Sequence, residues 1–379
     1  MAVGILFLII ILIYHKSIEM SKLLVSCGTL CSGGAERVLS ILSTPFAENY
    51  DEVIYLTWID QPDFYTLDSR VKRICVEREC NSMFLPKKAM WFRNYVKKEK
   101  PTLVLSFLEP FNVMICFALI GVKVPVVVAN RNDPRYVWGD FIHRNLRALA
   151  YRKAVGNLSQ TENNKNYFKG ELLEKGHVIF NPIFLPEEYV GKAINSEKKN
   201  RIVSVARISK QKNPEMLIRA FKKFHLAHPD YTLTMYGNGE DRDYVLDMIN
   251  KEGLSSCVFL PGAKSNIWDE IANAKCFVMT SWYEGMPNAL LEAMCLGLPC
   301  VSTKVSGAVD LIKNRENGIL VDLDDDVSFA EALSQVVDKE DYALSLANNA
   351  TEIYKLLEVK SISQQWIDYL NKKISAYHQ

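Results

Sequence analysis

The sequence predicts an α/β protein built from two doubly wound domains that face each other across a cleft. Three observations lead to this prediction: the length of the chain, an alternation of apolar runs with amphipathic stretches, and a restart of that alternation near residue 201. A chain of 379 residues is too long for one ordinary core, since domains usually hold about 100 to 200 residues. Each half is long enough to bury a core of its own.

Short apolar runs alternate with helical stretches through the first half of the chain. This order is typical of parallel strands joined by helical crossovers. The predicted strands are KLLVS at 22–26, EVIYLTW at 52–58, LVLSFL at 103–108, VPVVVAN at 124–130 and a weaker GNLSQT at 156–161. We therefore predict a first domain over residues 20–182.

A passage rich in proline, asparagine and charge over residues 183–200 indicates a linker. Residues 201–379 are predicted as the second domain, with a helical tail from 327 to 377. Its strands are RIVSVAR (201–207), YTLTMYG (231–237), CVFLPG (257–262), KCFVMTS (275–281), LPCVST (298–303) and GILVD (318–322). Ligands of such sheets bind outside the carboxyl ends of the strands, so those loops are the places to search for function.

The first 19 residues need a separate interpretation. Residues 2–14 form an apolar run, AVGILFLIIILIY, that lacks a basic leader and a small-residue cleavage site. The run is shorter than the roughly 20 residues that span a bilayer as a helix. Because Met20 directly precedes the first predicted strand, we interpret residues 1–19 as an upstream extension, with a short apolar anchor as the alternative.

Cysteine usage and charge narrow the class of protein. The nine cysteines form no CxxC pair and no Cys/His cluster at zinc-finger spacing, which indicates reduced thiols in a reducing compartment. The net charge of +1 hides a local asymmetry, because residues 87–175 carry 16 Lys and Arg against 7 Asp and Glu. The basic half of the chain therefore favours an anionic partner.

The stretch VARISKQKNPEMLIRAF places Arg207 at a strand end and Lys212 five residues later, before a helix opened by Asn213 and Pro214. A guanidinium can bind two phosphate oxygens, and an ammonium adds a point charge. The pair suits a diphosphate site that uses no metal ion. Either residue alone is weak evidence, since most Lys and Arg side chains are simply solvated.

The stretch SWYEGMPNALLEAMCLGLPCVS carries Glu284 and Glu292 eight residues apart. Pro287 can occupy the first turn of a helix, and Gly285 allows close backbone approach. The amides at such a helix start suit an anion or sugar hydroxyls. Glu284 is then placed to contact a sugar and Glu292 to accept hydrogen bonds from a ribose. Alternatively, Glu292 is a surface residue on an apolar helix.

Two glycine-containing turns add weaker signals. CSGGAERV begins a helix after the first strand, and its Gly33 and Gly34 let backbone amides approach a ligand, although a tight turn explains them equally well. YGNGED lacks the third glycine of a dinucleotide fingerprint and follows the second strand of its domain, so NAD binding is disfavoured.

Together these motifs resemble retaining glycosyltransferase family 4, among the group 1 glycosyltransferases, whose members have the GT-B fold of two facing Rossmann-like domains. The resemblance runs from Met20 to nearly the end of the chain and rests on GGAERV, VARISKQKNP, the GNGE turn and above all EGMPNALLEAMCLGLPCV, which resembles the EX7E signature. It implies transfer with retention from a nucleotide-diphospho-sugar, without metal or cofactor, and with a UDP-sugar favoured over a GDP-sugar.

The resemblance also implies roles for individual residues. Arg207 and Lys212 would hold the donor diphosphate, Glu284 would contact the donor sugar, and these three form the expected catalytic set. The expected donor-binding residues are Gly33, Gly34, Gly237, Gly262, Asn266, Gly285, Met286, Pro287, Asn288, Ala289 and Glu292, with Glu292 on the ribose.

The stretch VVVANRNDPR departs from the many family members that carry a histidine after the fourth strand. It resembles an ERNDP variant of bacterial polysaccharide transferases, with Asn130 in place of the glutamate. We therefore expect Asn130, Arg131 and Asp133 on the acceptor side of the cleft and assign no catalytic base.

The stretch KKAMWFRNYVKKEK at 87–100 interleaves Trp91, Phe92 and Tyr95 with basic residues, and HRNLRALAYRK forms a second basic helix. An aromatic edge beside a cationic flank suits anionic lipid headgroups, where each basic residue contributes about 1 kcal/mol. Alternatively, the aromatic side chains face the core and the lysines face water. No recognition motif supports a nucleic-acid partner.

By analogy with the family, the expected acceptor is a glycan or an undecaprenyl-diphosphate-linked glycan in O-antigen or capsule synthesis. The expected location is cytoplasmic, peripheral at the inner face of the cytoplasmic membrane. Two other functions remain open: a nucleotide-sugar 2-epimerase of similar architecture, and a non-catalytic homologue that binds a nucleotide or glycan.

Overall fold

The computed structural model describes residues 20–31, 33–137, 139–183 and 185–379. The apolar run at 1–19, and with it the choice between extension and anchor, lies outside the described residues. The described chain contains a seven-stranded and a six-stranded sheet, and every strand pair within them is parallel. The prediction of two doubly wound α/β sheets is confirmed.

The sheet of the first domain has the order β3-β2-β1-β4-β5-β6-β7. Its strands are β1 (Lys22–Cys27), β2 (Glu52–Thr57), β3 (Lys72–Cys75), β4 (Leu103–Phe107), β5 (Val126–Ala129), β6 (Gly156–Ser159) and β7 (Gly176–Val178). Its helices are α1 (Gly34–Asn49), α2 (Val76–Cys80), α3 (Leu85–Glu99), α4 (Glu109–Ala118), α5 (Phe141–Ala150), α6 (Glu162–Lys165) and α7 (Glu171–Glu174).

The first sheet is packed on both faces. Leu23 and Val25 of β1 point into a core shared with α1, whereas Leu24 points into a second core that contains Phe92 of α3 and Val113 of α4. A strand buried on both faces is apolar at successive positions rather than at alternate ones. This explains why the central strands are so evident in the sequence.

The sheet of the second domain has the order β10-β9-β8-β11-β12-β13. Its strands are β8 (Lys199–Val205), β9 (Thr232–Tyr236), β10 (Val258–Gly262), β11 (Ala274–Met279), β12 (Cys300–Thr303) and β13 (Ile319–Val321). Its helices are α8 (Pro214–Ala227), α9 (Arg242–Lys251), α10 (Ile267–Ile271), α11 (Asn288–Leu296), α12 (Ser306–Leu311), α13 (Asp326–Asp338), α14 (Glu340–Thr351) and α15 (Ile353–Leu357).

In each sheet the strand order reverses beside the first strand of the domain, between β1 and β4 and between β8 and β11. Such a reversal opens a crevice at the carboxyl ends of the two strands, because the connecting loops leave in opposite directions. In the second domain, the loop after β8 carries Arg207 and the loop after β11 carries Glu284. The fold therefore places two of the predicted site residues at one switch point.

The last helix, α16 (Val359–His378), packs against the first domain. Trp366 is fully buried there, with its ring 5.6 Å from Phe107 and 6.5 Å from Phe46 between centroids. The sequence-based division assigned residues 201–379 to the second domain, whereas this helix completes the core of the first. None of the helices that the structure describes is long and apolar enough to cross a membrane.

The segment that leads the chain back from the second domain to α16 runs beside the linker. The amide of Ile183 donates to the carbonyl of Leu357 over 2.9 Å, and Ile183 forms a parallel bridge with Glu358. The two segments that pass between the domains are thus hydrogen-bonded to each other.

Candidate active site

The first part of the site is the turn between β8 and α8. Arg207 lies two residues beyond β8 and is exposed, and Lys212 ends a short 3-10 turn. Asn213 follows with φ +48°, a left-handed conformation that asparagine tolerates, and its side chain accepts from the amide of Met216. The hydroxyl of Thr280 donates to the carbonyls of Lys212 and Asn213, so the end of β11 fixes this turn.

Lys212 and Glu284 form an ion pair across the switch point. Nζ of Lys212 lies 2.5 Å from Oε1 of Glu284, which also accepts from the hydroxyl of Ser281 over 2.7 Å. Glu284 is 7% exposed, while the lysine side chain keeps about a quarter of its surface in solvent. The structure thus brings together the two predicted residues and orients the carboxylate.

Gly285 is one place where the second domain contacts the backbone of the first. A Cβ on Gly285 would lie 2.7 Å from the carbonyl oxygen of Arg131, closer than two such atoms can come. Pro287 then precedes α11, which Asn288 and Ala289 begin. The first amides of this helix have no intrahelical partners, as at any helix start, and are therefore available to a ligand.

Glu292 lies one turn into α11 and is 6% exposed. Its Oε2 accepts from the indole N–H of Trp268 over 2.9 Å, and its Oε1 is paired with the guanidinium of Arg37. The alternative of a solvated surface glutamate is excluded by this burial. Arg37 belongs to α1 of the first domain, so the ion pair spans the cleft.

The other predicted glycines lie where two segments of the protein pack closely or where the backbone has a positive φ. Gly34 faces the second domain, where a Cβ would lie 3.3 Å from Nδ2 of Asn288, and Gly33 precedes it at the start of α1. Gly237 has φ +134° and packs on the carbonyl of Ala206, beside Arg207. Gly262 has φ +86° at the end of β10, where its carbonyl accepts from the Gly237 amide. The turns after β9 and β10 thereby support the turn after β8.

Asn266 caps α10 and is exposed, with its amide group bonded to Asp269 and to the hydroxyl of Tyr189. Met286 is buried, and its sulfur accepts from the backbone amide of Asn181 over 3.1 Å. The side chains of both residues are thus engaged by other residues of the protein.

Asn130 does not face the cleft. Its Nδ2 donates to Oδ1 of Asn157 over 2.7 Å and to the carbonyl of Leu158, and its Oδ1 accepts from the hydroxyl of Tyr151 over 2.8 Å. All of these partners are buried in the first domain. The expected acceptor-side role of Asn130 therefore has no support from its position, which is that of a core hydrogen-bonding residue.

Arg131 is buried at the domain boundary, and its guanidinium lies over the ring of Phe107, 5.0 Å from the centroid. It donates to Oδ1 of Asn181, whose Nδ2 in turn donates to Oδ1 of Asn288 over 2.7 Å. Burial lowers the pKa of Arg131 to about 9, and the charge of Glu109 opposes that shift. This chain of contacts links the first domain to the start of α11.

Asp133 also joins the domains. It accepts from the hydroxyl of Ser306 in α12 over 2.8 Å and from Nε of Arg135 over 2.9 Å, and it is 1% exposed. Nearby, Tyr136 of the first domain stacks on Tyr283 of the second, with centroids 4.7 Å apart and an angle of 9° between the rings. Arg131 and Asp133 thus lie at contacts between the domains, and their expected place on the acceptor side of the cleft stays a prediction.

Sequence reasoning missed several residues of this cleft, namely Arg37, Trp268, Tyr136, Tyr283 and Ser306. Arg37 belongs to the GGAERV motif and Tyr283 to the EX7E stretch, so both lay within stretches already singled out. Nothing in the sequence indicated that their side chains cross between domains.

Half-buried Glu36 is a further carboxylate near Arg207. Burial raises the pKa of Glu36, while its own backbone amide, Thr29 and the charges of Arg207 and Arg131 oppose the shift. Within the described ranges, no group of three or more His, Cys, Asp and Glu side chains is arranged to hold a metal ion.

Known glycosyltransferases are similar to this chain in sequence. Residues 187–353 match the family model described as glycosyl transferases group 1. A Campylobacter jejuni enzyme is 27% identical over 92% of this chain and 98% of its own length; it is named as an alpha-1,4-N-acetyl-D-galactosaminyltransferase acting on a GalNAc-GalNAc-diNAcBac-PP-undecaprenol. The amylovoran biosynthesis glycosyltransferase of Erwinia amylovora is 26% identical over 93% and 100%.

Solved structures support the same assignment at the level of fold. Anabaena HepE, crystallised with UDP and glucose, superposes with a TM-score of 0.76 over 93% of this chain and 100% of its own, at 18% identity. The predicted resemblance to group 1 glycosyltransferases is confirmed by these matches. The chain is therefore a glycosyltransferase with the GT-B fold, and its residues 187–353 match the group 1 glycosyl transferases.

Proposed function

We propose that this enzyme transfers a sugar with retention, and without a metal ion, from a UDP-sugar to a lipid-linked glycan. The observation that carries the proposal is the meeting of Arg207, Lys212, Glu284 and the start of α11 at the switch point between β8 and β11. This edge offers cations and backbone amides for a diphosphate, and a carboxylate for sugar hydroxyls.

The proposed donor lies with its diphosphate between Arg207, Lys212 and the amides before Ala289. Its sugar extends toward Glu284, and its ribose lies against Glu292. The UDP bound to HepE supports uridine as the nucleoside, because that protein shares the whole fold. In this arrangement Lys212 contacts both the leaving phosphate and the carboxylate that holds the sugar.

In the proposed reaction the acceptor hydroxyl attacks the anomeric carbon from the side on which the diphosphate leaves. The new C–O bond forms as the bond to the phosphate oxygen breaks, and the proton of the hydroxyl passes to that leaving oxygen. The charge that develops on the diphosphate is stabilised by Arg207, Lys212 and the helix start, and such preorganised donors contribute about 10²- to 10³-fold each. The protein's remaining task is to position the two substrates.

Measuring product stereochemistry tests this proposal. The purified enzyme is expected to bind UDP in the presence of EDTA and to yield an α-linked product from an α-linked donor, as read from the anomeric proton by NMR. Strict dependence on added magnesium, or a β-linked product, would contradict it.

A lipid-linked acceptor is proposed because the Campylobacter jejuni relative is named for an undecaprenol-linked substrate and covers nearly the whole chain. Such an acceptor requires contact with a membrane. The aromatic residues of α3 do not provide it, since Phe92 is fully buried and the stacked Trp91 and Tyr95 pack on the core. Lys88 is also buried, where it bonds Glu77 and the carbonyl of Trp58.

Helix α5 is the better surface for this contact. Phe141, Ile142, Leu146 and Leu149 are 73%, 67%, 40% and 54% exposed. Ile142, Leu146 and Leu149 follow the i, i+4, i+7 spacing of one helix face. Residues 141–161 contain no Asp or Glu, while Arg144 and Arg152 are exposed. Asp140 caps this helix and is bonded to His143, and the other charged residues that flank the apolar face are cations. Such a face fits an anionic bilayer, with the proposed location at the inner face of the cytoplasmic membrane.

Vesicle sedimentation can compare the two helices directly. We expect I142D/L149D to reduce sedimentation with phosphatidylethanolamine–phosphatidylglycerol vesicles, with vesicles of phosphatidylcholine alone as the reference. The variant K97E/K98E removes two exposed cations from α3 as the matched comparison. Unchanged sedimentation of I142D/L149D would contradict the proposed role of α5.

A further inference from the structure

The ion pair between Arg37 and Glu292 has consequences for the donor site. Glu292 is supplied by the second domain and Arg37 by the first, 255 positions apart in sequence. The carboxylate is nearly inaccessible, and the arginine side chain keeps 27% of its surface exposed. A buried carboxylate needs a cation or several hydrogen bonds in order to stay charged and fixed in one orientation.

The two carboxylate oxygens of Glu292 have different partners. Oε1 faces Arg37, and Oε2 accepts from the indole N–H of Trp268. A carboxylate has about four lone-pair directions, so each oxygen can accept one further hydrogen bond. Two neighbouring hydroxyls on a five-membered ring are spaced to use both oxygens at once. Arg37 and Trp268 together therefore fix the plane of the carboxylate, and each of its oxygens can still accept one more hydrogen bond.

The residues around Arg37 and Glu292 show that this ion pair lies where the two domains contact each other closely. Arg37 and Glu292 line a small cavity together with Val38, Ile41, Ile183 and Leu291. Gly34, one turn before Arg37, approaches Asn288 at the start of the same helix as Glu292. The approach of α1 to α11 thus delivers Arg37 to this carboxylate.

We propose that Arg37 is a positioning residue of the donor ribose site, acting through Glu292. This inference rests on the proposed function, in which Glu292 accepts the ribose hydroxyls. It adds that the first domain contributes to nucleoside recognition, so the donor affinity depends on both domains. Arg37 is expected to sharpen the preference for a nucleotide with intact ribose hydroxyls rather than to attract phosphate in general.

A ligand comparison isolates this role. Calorimetry would measure the affinity of the full-length protein for UDP and for 2′,3′-dideoxy-UDP, which lacks both ribose hydroxyls. In the wild type we expect UDP to bind at least tenfold more tightly, in line with hydrogen bonds to a charged group. In R37Q the affinity for UDP should fall about tenfold while that for the dideoxy nucleotide changes little, so the preference nearly disappears.

Further variants separate positioning from folding. R37K keeps the charge and should restore part of the preference. R37Q/E292Q should be no worse than E292Q alone, because both changes act on one group. R219Q removes a partly exposed arginine of the second domain, paired with Asp324 and Asp326, and should leave both affinities unchanged.

The outcomes distinguish this inference from the proposed function. If the wild type binds both nucleotides equally, the ribose role of Glu292 fails and the inference fails with it. If the wild type prefers UDP and R37Q keeps that preference, only the role of Arg37 is overturned. An equal loss of both affinities in R37Q, at an unchanged melting temperature, would also overturn it, because it would indicate a general electrostatic effect.

Discussion

Nζ of Lys212 and Oε1 of Glu284 lie 2.5 Å apart and join the loops that follow β8 and β11. The pair places a partly exposed cation directly beside a carboxylate that Ser281 holds in position. Its two members belong to different proposed contacts, the phosphate and the sugar. In the proposed donor complex, Lys212 would therefore contact the leaving phosphate and Glu284 at the same time.

Replacing Lys212 by alanine is expected to lower transfer about 10²- to 10³-fold, because the leaving diphosphate loses a preorganised cation. The melting temperature should change little, since the lysine is partly exposed and Glu284 keeps the Ser281 hydroxyl. The test is the initial rate beside a thermal melt. K210A, in the same turn and exposed, serves as the control. A large thermal loss with normal activity per folded molecule would make Lys212 a structural residue.

The stack of Tyr136 on Tyr283 predicts an effect on the acceptor. An aromatic pair of this geometry contributes about 0.5 to 1.5 kcal/mol beyond area burial. We expect Y283A to raise KM for the acceptor by about 2- to 12-fold and to leave UDP affinity near its wild-type value. Y283F preserves the ring and should behave like the wild type. Equal weakening of UDP binding in Y283A would place the stack on the donor side instead.

The contact between Asp133 and Ser306 predicts an effect on stability. D133N weakens the charged hydrogen bonds to Arg135 and Ser306 at a buried position, and we expect a loss of about 1 to 3 kcal/mol. S306A removes one hydrogen-bond donor and should lower the free energy of unfolding by less than D133N does. Denaturant unfolding measures this free energy for both variants. An undiminished stability of D133N would mean that this junction contributes little to holding the domains together.

Glu109 predicts a pH dependence of stability. It is fully buried at the start of α4, and neither carboxylate oxygen has a hydrogen-bond partner on another described residue. Burial raises the pKa of Glu109 from 4.5 to about 7, although its backbone amide and the charges of Arg147 and Arg131 oppose the shift. Because the folded protein holds this proton to a higher pH than the unfolded chain, stability from this group is lost as pH rises from about 4.5 to about 7.

The isosteric variant E109Q cannot ionise, so it avoids the loss of stability that Glu109 causes at high pH. It should be more stable than the wild type at pH 8 by up to about 3 kcal/mol and should differ little at pH 5, as measured by urea unfolding at both values. E174Q, at an exposed position, is the control and should show no such dependence. Equal effects of E109Q at the two pH values would rule out titration of Glu109 as the cause.

The central strands could be predicted because burial on both faces makes them apolar throughout, as in VVVA of β5. The edge strands β3 and β7 were missed because KRIC and GHV are short and carry few apolar residues. Arg207, Lys212 and Glu284 could be grouped in advance, since the carboxyl ends of parallel strands meet at one edge.

Contacts between the domains could not be predicted in the same way. Asp133 and Ser306 are 173 positions apart, and hydrophobic periodicity describes each domain but carries no information on how two domains face each other. Asn130 illustrates a second limit. The sequence placed Asn130 correctly at a strand end. An amide side chain at such a position can face either the cleft or the core. The hydrogen bonds with Tyr151 and Asn157 orient this one toward the core.

The hydrogen bond from Ile183 to Leu357 joins the two connections between the domains side by side. A relative movement of the domains must therefore bend both connections at the same level of the chain. Such a movement would also have to break the ion pair of Arg37 with Glu292 and the hydrogen bond from Ser306 to Asp133. The contacts across the cleft therefore oppose any bending at this hinge.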